Sequence, residues 1–69
     1  RSMQKEKMLR VLESFEDMLN GSQLFQIHEL DPRYNIDRIV YREKSRDGWF
    51  KEISSEDYFR KVDRLRRKA

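Results

Sequence analysis

Two runs of alternating polar and apolar residues, Ile36 to Ser45 and Trp49 to Ile53, are separated only by Arg46-Asp47-Gly48. A three-residue connection with glycine at its left-handed position is a hairpin signature. No other stretch of the 69 residues restricts the fold as tightly, because so short a loop also fixes the register. It sets Glu43 opposite Lys51, Tyr41 opposite Ile53, Arg42 opposite Glu52 and Lys44 opposite Phe50. Side chains alternate along a strand, so Ile39, Tyr41, Trp49 and Ile53 are expected to face a core. Val40, Arg42, Lys44, Phe50 and Glu52 are expected to face outward.

The flanking segments read more simply. From Gln4 to Leu19 the apolar residues Met8, Leu9, Val11, Leu12, Phe15, Met18 and Leu19 recur in steps of three and four, which predicts a first helix. Asn20-Gly21 suits its C-terminal stop. Ser22 to Leu30 alternates as a strand in which Phe25 and Ile27 share a face, and Asp31-Pro32 ends it in a loop to Asn35. Ser54 opens a last helix, three residues before Asp57, as in a capping box with aspartate in place of glutamate. Tyr58, Val62, Leu65 and Ala69 form its apolar stripe. Arg1-Ser2 reads as a cloning remnant ahead of a start methionine, Met3, and is set aside.

The predicted architecture is one α+β domain over residues 1–69, in the order α-β-β-β-α. A three-stranded antiparallel meander would carry both helices on one face. Helix, three strands and helix in about 70 residues resembles the layout of the double-stranded-RNA-binding domain. The resemblance is one of element order alone. Ser54-Ser55-Glu56-Asp57 stands where that family begins its second helix with basic, alanine-rich sequence, and acids there repel phosphate, so no function follows.

Composition excludes several classes of chemistry. With no cysteine, neither disulfides nor thiolate metal ligands are available. There is no threonine, one histidine (His28), and no motif around any serine, so nucleophilic catalysis lacks its parts. His28 reads as a strand imidazole, and Glu13, Glu16 and Asp17 as the solvated face of the first helix. Gly21 and Gly48 are both assigned to turns, which leaves no phosphate-cradling loop. The expectation is a non-enzyme without cofactor or metal. No apolar run approaches the length of a membrane span, so a cytoplasmic or nuclear location is expected.

Charge is unevenly spread. Residues 1–37 carry five basic and seven acidic side chains, a net −2, while residues 38–69 carry eleven and six, a net +5. Three candidate surfaces emerge. The first, a partner-binding face, comprises Arg38, Val40, Arg42, Lys44 and Phe50 on the hairpin's outer side, with Arg46 at its tip. The second is a basic patch on the last helix, where pairing by Glu56, Asp57 and Asp63 leaves Arg64, Arg66 and Lys68 uncommitted beside Arg67. The third is a dimer face on the first helix, Met8, Val11 and Met18. Aromatics among arginines suit a protein hot spot, and they also suit stacking on a single-stranded base. A small regulatory or adaptor module that binds protein is the leading expectation. A nucleic-acid-binding domain is the second, and a structural piece of a larger protein the third.

Overall fold

The computed structural model describes residues 6–68, with the side chains of 6–67. The assignments made for Arg1–Met3, Gln4 and Ala69 lie outside these residues. The element order is β1 (Met8–Asp17), β2 (Ser22–Asp31), β3 (Ile36–Lys44), β4 (Phe50–Ile53) and α1 (Ser55–Lys68). The strands form one antiparallel sheet in sequence order. The α+β class is as expected. Its content differs, with four strands and one helix in place of three strands and two helices.

The expected first helix is β1. What imitates a helical period is a β-bulge. Val11 pairs with Ile27 and Glu13 with Gln26, so Leu12 is an extra residue in the ladder. The bulge resets the alternation. Met8 and Arg10 share a face with Glu13, Phe15 and Asp17, while Leu9 and Val11 share the other with Ser14 and Glu16. Apolar residues at 8, 9, 11, 12 and 15 thus satisfy a helix template while belonging to two sides of a strand. Asn20-Gly21 accordingly closes a hairpin rather than a helix. Gly21 has φ +72° and donates its N–H to the Asp17 carbonyl (2.8 Å). The Asp17 carboxylate accepts from the N–H groups of Leu19 (3.1 Å) and Asn20 (3.3 Å). Asp31 does the same for the next turn. It accepts from the Arg33 N–H (3.1 Å) and takes the Arg33 guanidinium bidentately, while Asn35 supplies the left-handed residue at φ 57°.

The hairpin from Ile36 to Ile53 has the register expected of it: Tyr41 with Ile53, Arg42 with Glu52, Glu43 with Lys51 and Lys44 with Phe50. Ser45 donates to the Trp49 carbonyl (2.8 Å), closing the loop around Arg46-Asp47-Gly48.

Helix α1 is capped by Ser54, whose Oγ accepts the Asp57 N–H at 3.1 Å. Tyr58 and Val62 on its apolar side bury against Leu24, with Phe15, Tyr41, Ile53 and Leu65 packed around them. The Tyr58 and Tyr41 rings lie 4.6 Å apart, and Lys61 donates to Glu43 (2.9 Å), fixing the helix to β3. The core sits at the end of the sheet nearest the β1–β2 turn. Ile39 and Trp49, both expected in the core, are 43% and 77% exposed. Ile39 lies on the helix side but pairs with His28, two residues from Tyr41 and away from the packed end. Trp49 falls in the loop.

Tyr58 is fully buried, yet its hydroxyl has no hydrogen-bond partner among the described residues, and burial raises its pKa above the usual 10.0. An unsatisfied buried hydroxyl costs about 1–3 kcal/mol. Tyr58→Phe should therefore raise the urea midpoint, by about 1 kcal/mol in stability. Tyr58→Ala should cost about 3–5 kcal/mol and abolish the cooperative transition in a chain this small.

Candidate partner-binding face

Strand pairing aligns side chains into rows across the sheet, because directly paired residues point the same way. On the face turned away from α1, one row is Val11, Ile27 and Val40. Beside it on the core end run Ser14, Phe25, Arg42 and Glu52, and then Glu16, Gln23, Lys44 and Phe50. On its other side lies Leu9, Glu29 and Arg38. No helix or strand of the described chain covers these rows.

Five of the six residues expected in a partner-binding face therefore share one side of the sheet: Arg38, Val40, Arg42, Lys44 and Phe50. Val40 departs from its expected role as an exposed contact. It is only 5% exposed, standing beside Ile27 in the row, and so forms the floor of the face. Phe50 is 56% exposed, with the Phe25 ring at 5.9 Å and the Lys44 ammonium 5.7 Å from its centroid. Arg42, Phe50, Lys51 and Glu52 border a shallow hollow of about 330 Å³. The sixth residue, Arg46, lies elsewhere. Its side chain lies against Gly21, where an added Cβ would meet Nε at 3.0 Å. There it lines a separate cleft of about 340 Å³ with Asn20, Ser22, Glu43 and Trp49.

At the far end of the face, Glu29 is buried beneath two cations, with Arg38 Nε at 2.6 Å and Lys7 Nζ at 3.1 Å. Hydrogen bonds from Arg38 and then Lys7 hold the Glu29 carboxyl below its ordinary 4.5. Arg38 is thus committed within the chain, and its own pKa is raised by the same contact. Arg42 and Glu52 are paired by register, yet they form no ion pair among the described residues. Glu43 bonds Lys61 rather than Lys51.

The other two candidate surfaces are rearranged. Met8 and Val11 lie on opposite faces of β1, since Met8 pairs with Leu30 and Val11 with Ile27, and Met18 lies in the turn. They form no common dimer face, and the helix expected to carry them does not exist. In the basic patch, Arg67 bonds Asp63 (2.9 Å), and the Arg66 guanidinium lies over the Phe15 ring at 5.5 Å. Arg64 borders a small cleft with Asp17 and Leu65, and Lys68 closes the helix. Arg66 is therefore spent on packing, and Arg60 bonds Asp57. Glu13, Glu16 and Asp17, expected on one helix face, are divided between the two sides of β1. His28 Nε2 meets Asp37 Oδ1 at 2.6 Å on β2 and β3. Among the described residues no His, Asp and Glu group could hold a metal ion, and no helix is long and apolar enough to cross a membrane.

Leu9, Val11, Phe25 and Ile27 belong to the face but were not legible as such. Phe25 and Ile27 carried a signal in their shared strand face. Leu9 and Val11 carried none, because their segment reads as helical.

The chain matches no protein-family model, no curated protein and no solved structure. The layout shared with the double-stranded-RNA-binding domain also disappears, since its first helix is here a strand.

Because the Glu29 carboxyl has a lower pKa folded than unfolded, its contribution to stability is complete above the unfolded value. That contribution is lost as pH falls through the lower folded value. The urea midpoint of the protein should fall from about pH 5 downward. Glu29→Gln should flatten that slope, leaving the part contributed by Asp31, whose carboxyl is lowered by Arg33. An unchanged slope in Glu29→Gln would contradict the ion cluster.

Proposed function

We propose that this chain is a small non-catalytic module, adaptor or regulator in kind, that binds another protein through the sheet face opposite α1. The observation that carries the reading is the combination on that face of an apolar row with exposed flanks. Val11 on β1 is 55% and Phe50 on β4 56% exposed, with Ile27 and Val40 buried in the row that starts at Val11, and Arg42 and Lys44 stand beside Phe50. Apolar surface left open in a chain with so little core is a mark of contact sites. Aromatic and arginine side chains are the residues on which protein interfaces concentrate their energy. Arg42 and Lys44 are free of ion pairs among the described residues, so the complementary partner is a segment presenting apolar side chains bordered by acids.

Lys44 against the Phe50 ring, with Arg42 beside it, supports a second reading, single-stranded nucleic acid stacked on Phe50. Glu16 and Glu52 on the same face weigh against it, since each would oppose phosphate.

An NMR titration with single-stranded and duplex oligonucleotides at low salt separates the two. The protein-binding reading expects no saturable shifts at Arg42, Lys44 or Phe50. Shifts there that vanish steeply as salt rises would establish the nucleic-acid reading instead. A photo-crosslinking phenylalanine analogue at position 50 should yield protein adducts that Arg42→Glu abolishes, while the same probe at Phe59 should not.

A further inference from the structure

We propose that the free edge of β1 pairs with the β1 edge of a second copy of this chain, antiparallel and two-fold symmetric, to make a continuous eight-stranded sheet. β1 is one border of the sheet and offers ten residues of strand whose outer edge has no strand partner among the described residues. Long apolar edges of this kind template further pairing unless blocked. Met8, Leu9, Val11 and Leu12 along it are 45–55% exposed. No proline lies within the strand, and the features that would turn other partners away, the charges of Arg10, Glu13 and Glu16 and the bulge at Leu12, are those a second copy can match.

The bulge selects the occupant. A two-fold axis normal to the sheet keeps each face on its own side, so paired residues must share a face. In an unbroken strand this forbids pairing residues an odd number apart. Leu12 shifts the alternation, so Arg10 and Glu13 lie on the same face, as their partners His28 and Gln26 do. With the axis level with the Val11–Leu12 peptide, Arg10 meets Glu13 of the second copy, and Leu9 meets Ser14. Met8 meets Phe15, and Lys7, which precedes the strand and already bonds Glu29, stands level with Glu16. The Arg10–Glu13, Leu9–Ser14 and Met8–Phe15 pairs are face-matched, and the charged pair Arg10–Glu13 is of opposite sign and occurs twice. Sliding the register by two residues sets Met8 against Glu13 or against Asp17 and breaks all of them. Arg10, Glu13 and Glu16 have no ion-pair partner among the described residues, so they are available for this contact. The two apolar rows, Val40–Ile27–Val11 on each copy, then run into one another across the axis.

The proposal does not depend on the function proposed for the open face, and its test keeps the two apart. Sedimentation equilibrium of the full chain should give a dimer that Phe50→Ser leaves intact. Arg10→Glu and Glu13→Arg should each weaken it roughly tenfold or more, because attraction becomes repulsion at two symmetric positions. Mixed one to one, the two variants should recover a heterodimer, since the changed position 10 of one copy then meets the changed position 13 of the other with opposite charge, while the second pair is the native Glu13–Arg10. Circular dichroism of each variant reports its fold. A route that leaves the charges untouched uses the absence of native cysteine. Leu9→Cys mixed with Ser14→Cys should oxidise to a disulfide-linked pair. A monomer at all concentrations, a dimer indifferent to Arg10→Glu, or failure of both the heterodimer and the crosslink would each overturn the proposal. So would a dimer lost in Phe50→Ser and kept in the edge variants, which would place the second copy on the open face.

Discussion

The seating of Tyr58 against Leu24 and Tyr41 is the contact on which the rest of the molecule depends. Helix α1 has 14 residues, about 21 Å, whereas β1 and β2 have ten each, about 33 Å. One helix of that length cannot roof both ends of the sheet. By anchoring Tyr58 and Val62 at the Leu24 end, and holding Lys61 to Glu43, the chain builds its core there and leaves the other end and the opposite face open. The candidate site is thus a consequence of where the helix lands. On that face Ile27 and Val40 form a buried floor, and the apolar side chains left exposed above and beside it are Val11, Leu9 and Phe50.

The parts legible in the sequence were those specified locally. Gly48 in a short loop, with alternation on both sides, determined the register of β3 and β4, which put Phe50 outward with Arg42 and Lys44, and Tyr41 inward. Ser54 and Asp57 located the start of α1 through a hydrogen bond three residues long in sequence. β1 was illegible because its single extra residue at Leu12 turns a period of two into spacings a helix also satisfies. Its partner is β2, and long-range pairing overrode a local pattern. Val40 was placed on the correct face but not at its depth, since depth there depends on Ile27 across the ladder. Trp49 was misplaced because the loop ends one residue later than the alternation suggests.

Charge in this chain is divided between packing and surface. Glu29, Asp31 and Asp17 are buried acids, and each has work inside the fold: one under Arg38 and Lys7, one clasping Arg33, one holding a turn. Arg66 is taken up by Phe15, and Arg60 and Arg67 by helix aspartates. Several cations of the C-terminal half thus have partners inside the fold, while Arg42 and Lys44, without ion pairs among the described residues, lie beside the exposed Phe50. That distribution favours a localised contact over a broad electrostatic one.

The decisive measurement is the pattern of methyl and aromatic NOEs in the labelled protein. The account predicts cross-strand contacts from Val11 to Ile27 and from Ile27 to Val40 on one face, with Tyr58 to Leu24 and Tyr41 on the other. Helical contacts running from Met8 through Met18, or Tyr58 touching Ile27 in place of Leu24, would contradict it.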